Sequence, residues 1–246
     1  MRFEKFGIGQ KFKTNGMDEI EIVDKVEDNI KRRVVRFNNG YLLEVDISAI
    51  IKGNVKNPFI KTTCGVGYLG IHKKKYDKKI KEIWKGMIYR CYSGSNKYIT
   101  YKNVIVCEEW HNCATFCEWY EKNYPYHIDG IKFQMDKDLL QLNKKEKIYS
   151  PETCIFLPHK INSFFTNVQS NNTSGFTGVS YKKNKKIYAV VIKNFDTGKN
   201  IYLGSSKDIN KANDIYINGR AEQSEKAKKY MRDIGIYPEE IISLIK

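Results

Sequence analysis

The chain contains no C-x-x-C pair, although it carries six cysteines. That omission removes the commonest zinc knuckle. One stretch, CEEWHNCATFC, does gather Cys107, His111, Cys113 and Cys117. On a helix, however, Cys113 and Cys117 share a face with Tyr120, and small thiols are common in cores. Zinc is therefore not expected, nor are disulfides in a cytosolic chain. No apolar run approaches the ~20 residues that span a bilayer. The opening residues, MRFEKFGIGQKF, lack the apolar core of a signal peptide. A cytoplasmic protein with no membrane partner is the expectation. Acidic residues are also short, 28 against 43 Lys and Arg, for a net charge of +15 over 246 residues. Such an excess favours a polyanion, because each lysine placed on a phosphate releases a counterion. There is no internal repeat.

What is present divides into segments. Residues 1–60 alternate apolar and polar side chains in EIEIVDKV and RRVVRFNNGYLLEVDI, with Asn39-Gly40 as a tight-turn signal. They predict a small β domain, SH3-like in outline. HKKKYDKKIKEIWKGMIYRCYS, His72–Ser93, holds eight Lys or Arg and two acids, Asp77 and Glu82. Ile80, Ile83, Trp84, Met87 and Ile88 recur at helical spacing, so a helix with a buried stripe and a basic outer face is expected. Lys73, Lys74 and Lys75 open that stretch as candidate phosphate contacts. NVIVCEEW reads as a strand, and Asn112 to Asn123 as a helix whose Phe116, Trp119 and Tyr120 belong to a core. Pro125 and Gly130 break the pattern. NVQSNNTSG is polar, and a linker over 167–174 divides a central domain, 61–166, from a C-terminal one, 175–246.

The central chemistry lies in MDKDLLQLNKKEKIYSPETCIFLPHKINSFF, Met135–Phe165. Hydrolysis of a phosphodiester with one metal needs a hard cation on oxygen ligands and a base near the attacking water. A hairpin packed on a helix can supply both. Here KFQMDKDLL reads as a first strand, LNKKEK as a loop, CIFLP as a second strand, and HKINSFF as the start of a helix. These residues resemble the HNH, or ββα-metal (His-Me finger), endonucleases, whose pattern runs roughly lvDHidgn…speNLrwvtrseNn. FQMDKDL lies on the first half and YSPETCIFLPHKIN on the second. The resemblance implies that Asp136 and Asn162 bind one Mg²⁺, or another divalent ion such as Mn²⁺. Thr153 stands where the family has its bracing asparagine. Lys137 stands where the general-base histidine belongs, and a free lysine is protonated at neutral pH. Lys137 is then a residue that holds the phosphate or a water. Tyr149 and His159 are further candidates for orienting the water. On spacing alone, DKD is equally a surface turn and Asn162 a locally bonded helix residue.

The C-terminal segment SGFTGVSYKKNKKIYAVVIKNFDTGKNIYLGSSKDINKAN predicts three short strands, with turns at Asn184 and Asp196-Thr197-Gly198, followed by a helix. From Thr173 to Lys207 it carries seven lysines and one acid, Asp196. GVSY, YAVVIKN, IYLGS and KANDIY resemble, in order, the plant ethylene-response-factor (APETALA-type) DNA-binding domain. That domain is a three-stranded sheet backed by a helix, and it lays its sheet in the major groove. The resemblance places Tyr188, Lys193 and Tyr202 on the DNA side. Tyr181, Lys183 and Lys185 join them from their places in the strand and turn. Lysine in place of guanine-reading arginine implies affinity with modest specificity.

The expectation is an α+β protein: a small N-terminal β unit, a central ββα-metal domain with flanking helices, and a C-terminal three-stranded sheet plus helix. The function implied is an HNH-type endonuclease, phage or homing-like, that cuts double-stranded DNA to leave 3′-hydroxyl and 5′-phosphate ends. The competing expectation is a DNA-binding or phage anti-defence regulator that does not cut. An RNA-binding protein is a weaker third.

Overall fold

A computed structural model describes residues 4–16, 18–164, 172 and 174–245. The fold is mixed α+β, built from several small sheets. In chain order the elements are β1 (Lys11–Lys13), β2 (Glu19–Val26), β3 (Asn29–Phe37), β4 (Leu42–Asp46), α1 (Ile47–Ile51), α2 (Lys78–Tyr92), β5 (Val104–Val106), α3 (Cys113–Asn123), β6 (Phe133–Asp136), β7 (Lys147–Tyr149), β8 (Ile155–Pro158), α4 (His159–Asn162), β9 (Val179–Lys182), β10 (Ile187–Lys193), β11 (Asn200–Ser206), α5 (Ile209–Ile234) and α6 (Glu239–Ser243). No helix among the described residues is long and apolar enough to cross a membrane.

The chain forms two compact units that do not follow the domain limits expected from the sequence. The first takes Met1–Ser93 with Glu108–Cys117, the second Gly94–Cys107 with Glu118–Lys246. In the first, β1 to β4 form an antiparallel meander, and its ladder runs from β1 to β4 in sequence order. Ile20, Ile22, Val35 and Phe37 alternate inward and pack against Ile47 and Ile50 of α1. Gly40 takes the left-handed conformation (φ 84°) that the Asn39-Gly40 turn requires. Asp77 caps α2 by accepting from the Lys79 amide, so that helix starts at Lys78, six residues after His72. Lys73, Lys74 and Lys75 are exposed in the segment before it, not on the helix. Ile80, Trp84, Met87 and Ile88 form the buried stripe, and the Trp84 indole donates to the Trp110 carbonyl.

The second unit holds the expected hairpin, helix and C-terminal sheet together. One core explains why no boundary falls between them. Leu139, Leu157, Ile161 and Phe164 pack with Phe195, Ala227, Met231, Ile242 and Ile245. The α5 helix is 26 residues long and ends where Gly235 turns left-handed (φ 76°). Its far half and α6 thereby cover the hairpin, while its near half covers β9–β11. Of the linker expected at 167–174, only Asn172 and Ser174 are among the described residues. The Asn172 side chain accepts from the amides of Ser174 and Gly175, a turn that leads into β9.

Candidate active site

Strands β6 and β8 pair antiparallel in the register Phe133 with Pro158, Gln134 with Leu157, Met135 with Phe156 and Asp136 with Ile155. Alternation gives the hairpin two faces. Phe156 of one face packs on Trp119, Tyr120 and Tyr124, and Phe133 meets the Tyr124 ring. The other face carries Gln134, Asp136, Ile155 and Leu157. Leu157 on it joins Ile161 of α4 in the core. Asn162, the last residue of α4, donates from Nδ2 to Gln134 Oε1 at 3.0 Å. Asp136 lies two residues beyond Gln134 on that same face.

Asp136 is 9% exposed. Its Oδ1 accepts from the amides of Asp138 at 2.9 Å and Leu139 at 2.7 Å, which fixes the turn after β6. No described residue donates to Oδ2, and none donates to Asn162 Oδ1. Burial pushes the Asp136 carboxyl above the usual carboxylate range, aided by the charge of Asp138 and opposed by the two amides and Lys137. A carboxylate oxygen and an amide oxygen are the donors a hard cation takes. A divalent ion would also offset the cost of burying the Asp136 charge. The residues present therefore fit Mg²⁺ or Mn²⁺. They would supply few protein ligands, leaving water to complete the shell. Among the described residues no three His, Cys, Asp or Glu side chains gather as a metal-ligand cluster.

Lys137 follows the last residue of β6. It is 7% exposed, and its Nζ donates to both oxygens of Asp138 at 2.8 and 2.9 Å. The Tyr101 and Tyr149 ring centroids stand 5.1 and 5.6 Å from the ammonium. Lys147 from β7 also pairs with Asp138. Burial raises the Asp138 carboxyl, but the bonds from the two lysines outweigh it and leave the group below its ordinary range. Lys137 and Tyr149 thus join in an ion-pair and aromatic pocket that ties down the loop. Tyr149 is buried, whereas His159 is exposed at the first position of α4, three residues before Asn162.

The loop between the strands is more ordered than its lysine-rich sequence suggests. β7 within it pairs parallel with β5. Gln141, only 1% exposed, donates to the carbonyls of Lys137 at 2.6 Å and Ile148 at 2.9 Å, and accepts from the Ile148 amide at 3.0 Å. Thr153 braces the same loop. Its Oγ1 donates to the Ile148 carbonyl at 2.7 Å and accepts from the Ser150 amide at 3.1 Å. Gln141→Met is expected to leave the Lys137 carbonyl and the Ile148 amide unpaired, while the Ile148 carbonyl keeps its bond from Thr153, and to cost about 2 kcal/mol. A lowered urea midpoint with an unchanged slope would report it.

Of the cysteine-rich stretch, Cys113 and Cys117 are core residues of the first unit. Cys113 and Cys117 are buried on one helix face with sulfurs 3.9 Å apart. Their shared hydrogen bond and burial push the Cys113 thiol far up, so it stays protonated. Cys154, beside the hairpin, is likewise pushed up to about 12 by burial.

The C-terminal sheet runs β11-β10-β9, antiparallel throughout. Val179, Val190, Leu203 and Tyr188 pack toward Ala212, Ile215 and Tyr216 of α5. Register then assigns the open face: Ser180, Lys182, Val191, Lys193, Tyr202, Asn200 and Ser205. Lys193 and Tyr202 stand there as expected, and Tyr202 is 63% exposed. Tyr188 and Tyr181 do not. They pair across β10 and β9, rings 5.0 Å apart, on the side of Val179 and Val190. Tyr188 extends the helix-side core, whereas Tyr181 is 42% exposed. Lys183 and Lys185 are exposed in the β9–β10 turn, whose left-handed residue is Lys186 (φ 52°), not Asn184. Lys182, which the sequence reading passed over, is the open-face lysine of β9; strict alternation from Val179 would have found it.

Comparison with family models, with curated proteins and with solved structures finds no match.

Proposed function

We propose that the chain is a metal-dependent DNA endonuclease of the HNH type, phage or homing-like, that hydrolyses phosphodiester bonds in double-stranded DNA. One observation carries this reading: Asp136 and the Asn162–Gln134 pair share the α4-facing side of the β6–β8 hairpin. Asp136 and Asn162 would hold the Mg²⁺ or Mn²⁺. When bound, the ion supplies charge neutralisation at the scissile phosphate. The protein's own part is rigidity and grip. Gln141, Thr153 and the Lys137–Asp138–Lys147 group hold the loop that fixes Asp136. The exposed His159 is the side chain on α4 placed to orient a water. The open face of the β9–β11 sheet grips the duplex, with Lys73, Lys74 and Lys75 of the first unit as further phosphate contacts.

The test is incubation of supercoiled plasmid with the full chain and Mg²⁺ or Mn²⁺, with the chelated reaction as control. Metal-dependent nicking supports the reading. The second reading, a DNA-binding or anti-defence regulator, draws on the ion pairing of Lys137 at the position of the family's base. Tight binding with no cutting of any DNA, the native locus included, selects it. Preference for single-stranded RNA selects an RNA-binding protein instead.

The sheet assignment makes its own prediction. Lys182→Gln with Lys193→Gln is expected to weaken duplex binding and to lower the slope of log K against log salt by roughly 2, near 0.9 per phosphate contact. Tyr188→Phe is expected to leave that slope unchanged.

A further inference from the structure

We infer that the open face of the β9–β11 sheet selects A·T base pairs, with Asn200 as the adenine contact and Val191, opposite Tyr202, as the contact to a thymine methyl. The inference rests on the duplex-binding part of the reading above, not on cleavage, and deepens it by naming the base pairs chosen. In the major groove each base pair shows its own set of edges. Guanine offers two acceptors, and the forked donors of arginine are their best partner. No arginine occurs from Ser174 to Lys207, the segment that holds all three strands. Adenine offers an acceptor beside a donor, and an asparagine amide matches both. Asn200 is the one amide side chain that register puts on this face; it is exposed, and no described residue hydrogen-bonds that side chain. Thymine adds a methyl group to the groove, which an aliphatic side chain takes out of water. Val191 is half-buried and pairs in the ladder with Tyr202, 63% exposed. Ile187 and Ala189 precede it on the same face of β10, Ile187 half-buried and Ala189 6% exposed, so the middle strand is aliphatic there up to Lys193. Lys182, opposite Ile187, and Lys193, opposite Asn200, stand at the two ends of that row. Phosphate grip needs only the lysines and is blind to sequence. The aliphatic row and the amide add nothing to that grip, and their chemistry is that of A·T edges.

The experiment selects duplexes from a random pool on the full chain in the presence of chelator, so that nothing is cut, and measures the affinity of the selected duplex by fluorescence anisotropy. The selected duplexes are expected to share A·T pairs. Replacing the thymines of the shared pairs by uracil removes only the methyl groups, and is expected to weaken binding about threefold or more for each methyl contacted. In Val191→Ala that difference between thymine and uracil duplexes should shrink to within about twofold. Asn200→Ala is expected to lose about 10-fold in preference for A·T over G·C at one position. Thermal unfolding checks the fold of each variant, and the exposed Asn200 keeps the test open if Val191→Ala does not fold. A G·C-rich selection, retention of all sequences alike, or equal affinity of wild type for thymine and uracil duplexes would overturn the inference. Failure of the duplex reading itself looks different: no duplex of any sequence would be retained, even at low salt.

Discussion

Asp136→Ala is expected to lower DNA cleavage by on the order of 10³-fold, several kcal/mol of lost metal stabilisation. Asn162→Ala is expected to follow it in the same direction, and both variants should bind duplex within a few-fold of wild type. Separation of cutting from binding follows from the proposed reading. Asp136 and Asn162 lie on the hairpin and α4, whereas Lys182 and Lys193 lie on the open sheet face. Quantitative plasmid cleavage beside a binding isotherm checks both halves.

The same residue makes a stability prediction of opposite sign. Burial raises the folded-state pKa of Asp136 above its unfolded value. A carboxyl shifted this way favours the fold while protonated, and that contribution is lost as pH rises through the folded pKa. In metal-free protein near pH 7, Asp136→Asn is therefore expected to melt at or above the wild-type temperature, with the gap closing toward about pH 4. It should still fail to cut. Asp138 runs the other way. Its lowered pKa contributes stability that is present above the unfolded value and lost as pH falls through the folded one. A functional carboxylate held at a cost to the fold is common where a site must be ready for a cation.

Gly178→Ala is expected to cost about 3 kcal/mol, from a left-handed backbone strained by a side chain and from overpacking. Gly178 has φ +71°, and a Cβ there would stand 2.3 Å from Tyr216 Cε2 and 2.6 Å from the Val191 carbonyl oxygen. The carbonyl is backbone and cannot swing aside. The Gly178 carbonyl also accepts from the Val191 amide at 2.9 Å, so relief by shifting the chain breaks that bond. Duplex binding should fall along with stability, because the sheet and α5 lose their close approach. Gly219 is the control. An added Cβ would meet Leu203 Cδ1 at 2.3 Å, but that is a side-chain end, and the backbone there is ordinary helix. Gly219→Ala should cost less, since the helix gains from alanine about what the packing loses. Urea unfolding of both variants gives the comparison.

Much of the local structure was legible in the residues. Asn39-Gly40 marked its hairpin, the Ile80–Ile88 stripe marked α2, and FQMD, IFLP and HKIN marked the strands and helix that carry Asp136 and Asn162. Local pattern failed where a long-range partner decided the outcome. The β7 strand forms only because β5 offers it a parallel neighbour, and three residues inside a lysine-rich loop carry no period of their own. The role of Gln141 depends on carbonyls brought beside it by the fold; its one trace in the sequence is a polar residue inside the apolar run Leu139-Leu140-Gln141-Leu142. The 167–174 boundary looked real because the segment is polar. Yet the far half of α5 and α6 return to the hairpin and build one core with it. Tyr188 was placed by resemblance and Tyr181 by its position in the strand, whereas register with Val179 and Val190 puts both on the other face. Lys137 between Asp136 and Asp138 was plain in the sequence. That its ammonium is held by Asp138 between two tyrosine rings was not, since Tyr101 comes from another part of the chain.

The most direct measurement is a crystal structure of the wild-type protein with Mn²⁺ and a short duplex, with the ion located by its anomalous signal. The account places the ion on the α4-facing side of the hairpin, at about 2.1 Å from an Asp136 carboxylate oxygen and from Asn162 Oδ1. An ion bound elsewhere, or an Asn162 amide presenting nitrogen to a site that excludes Asp136, would contradict it.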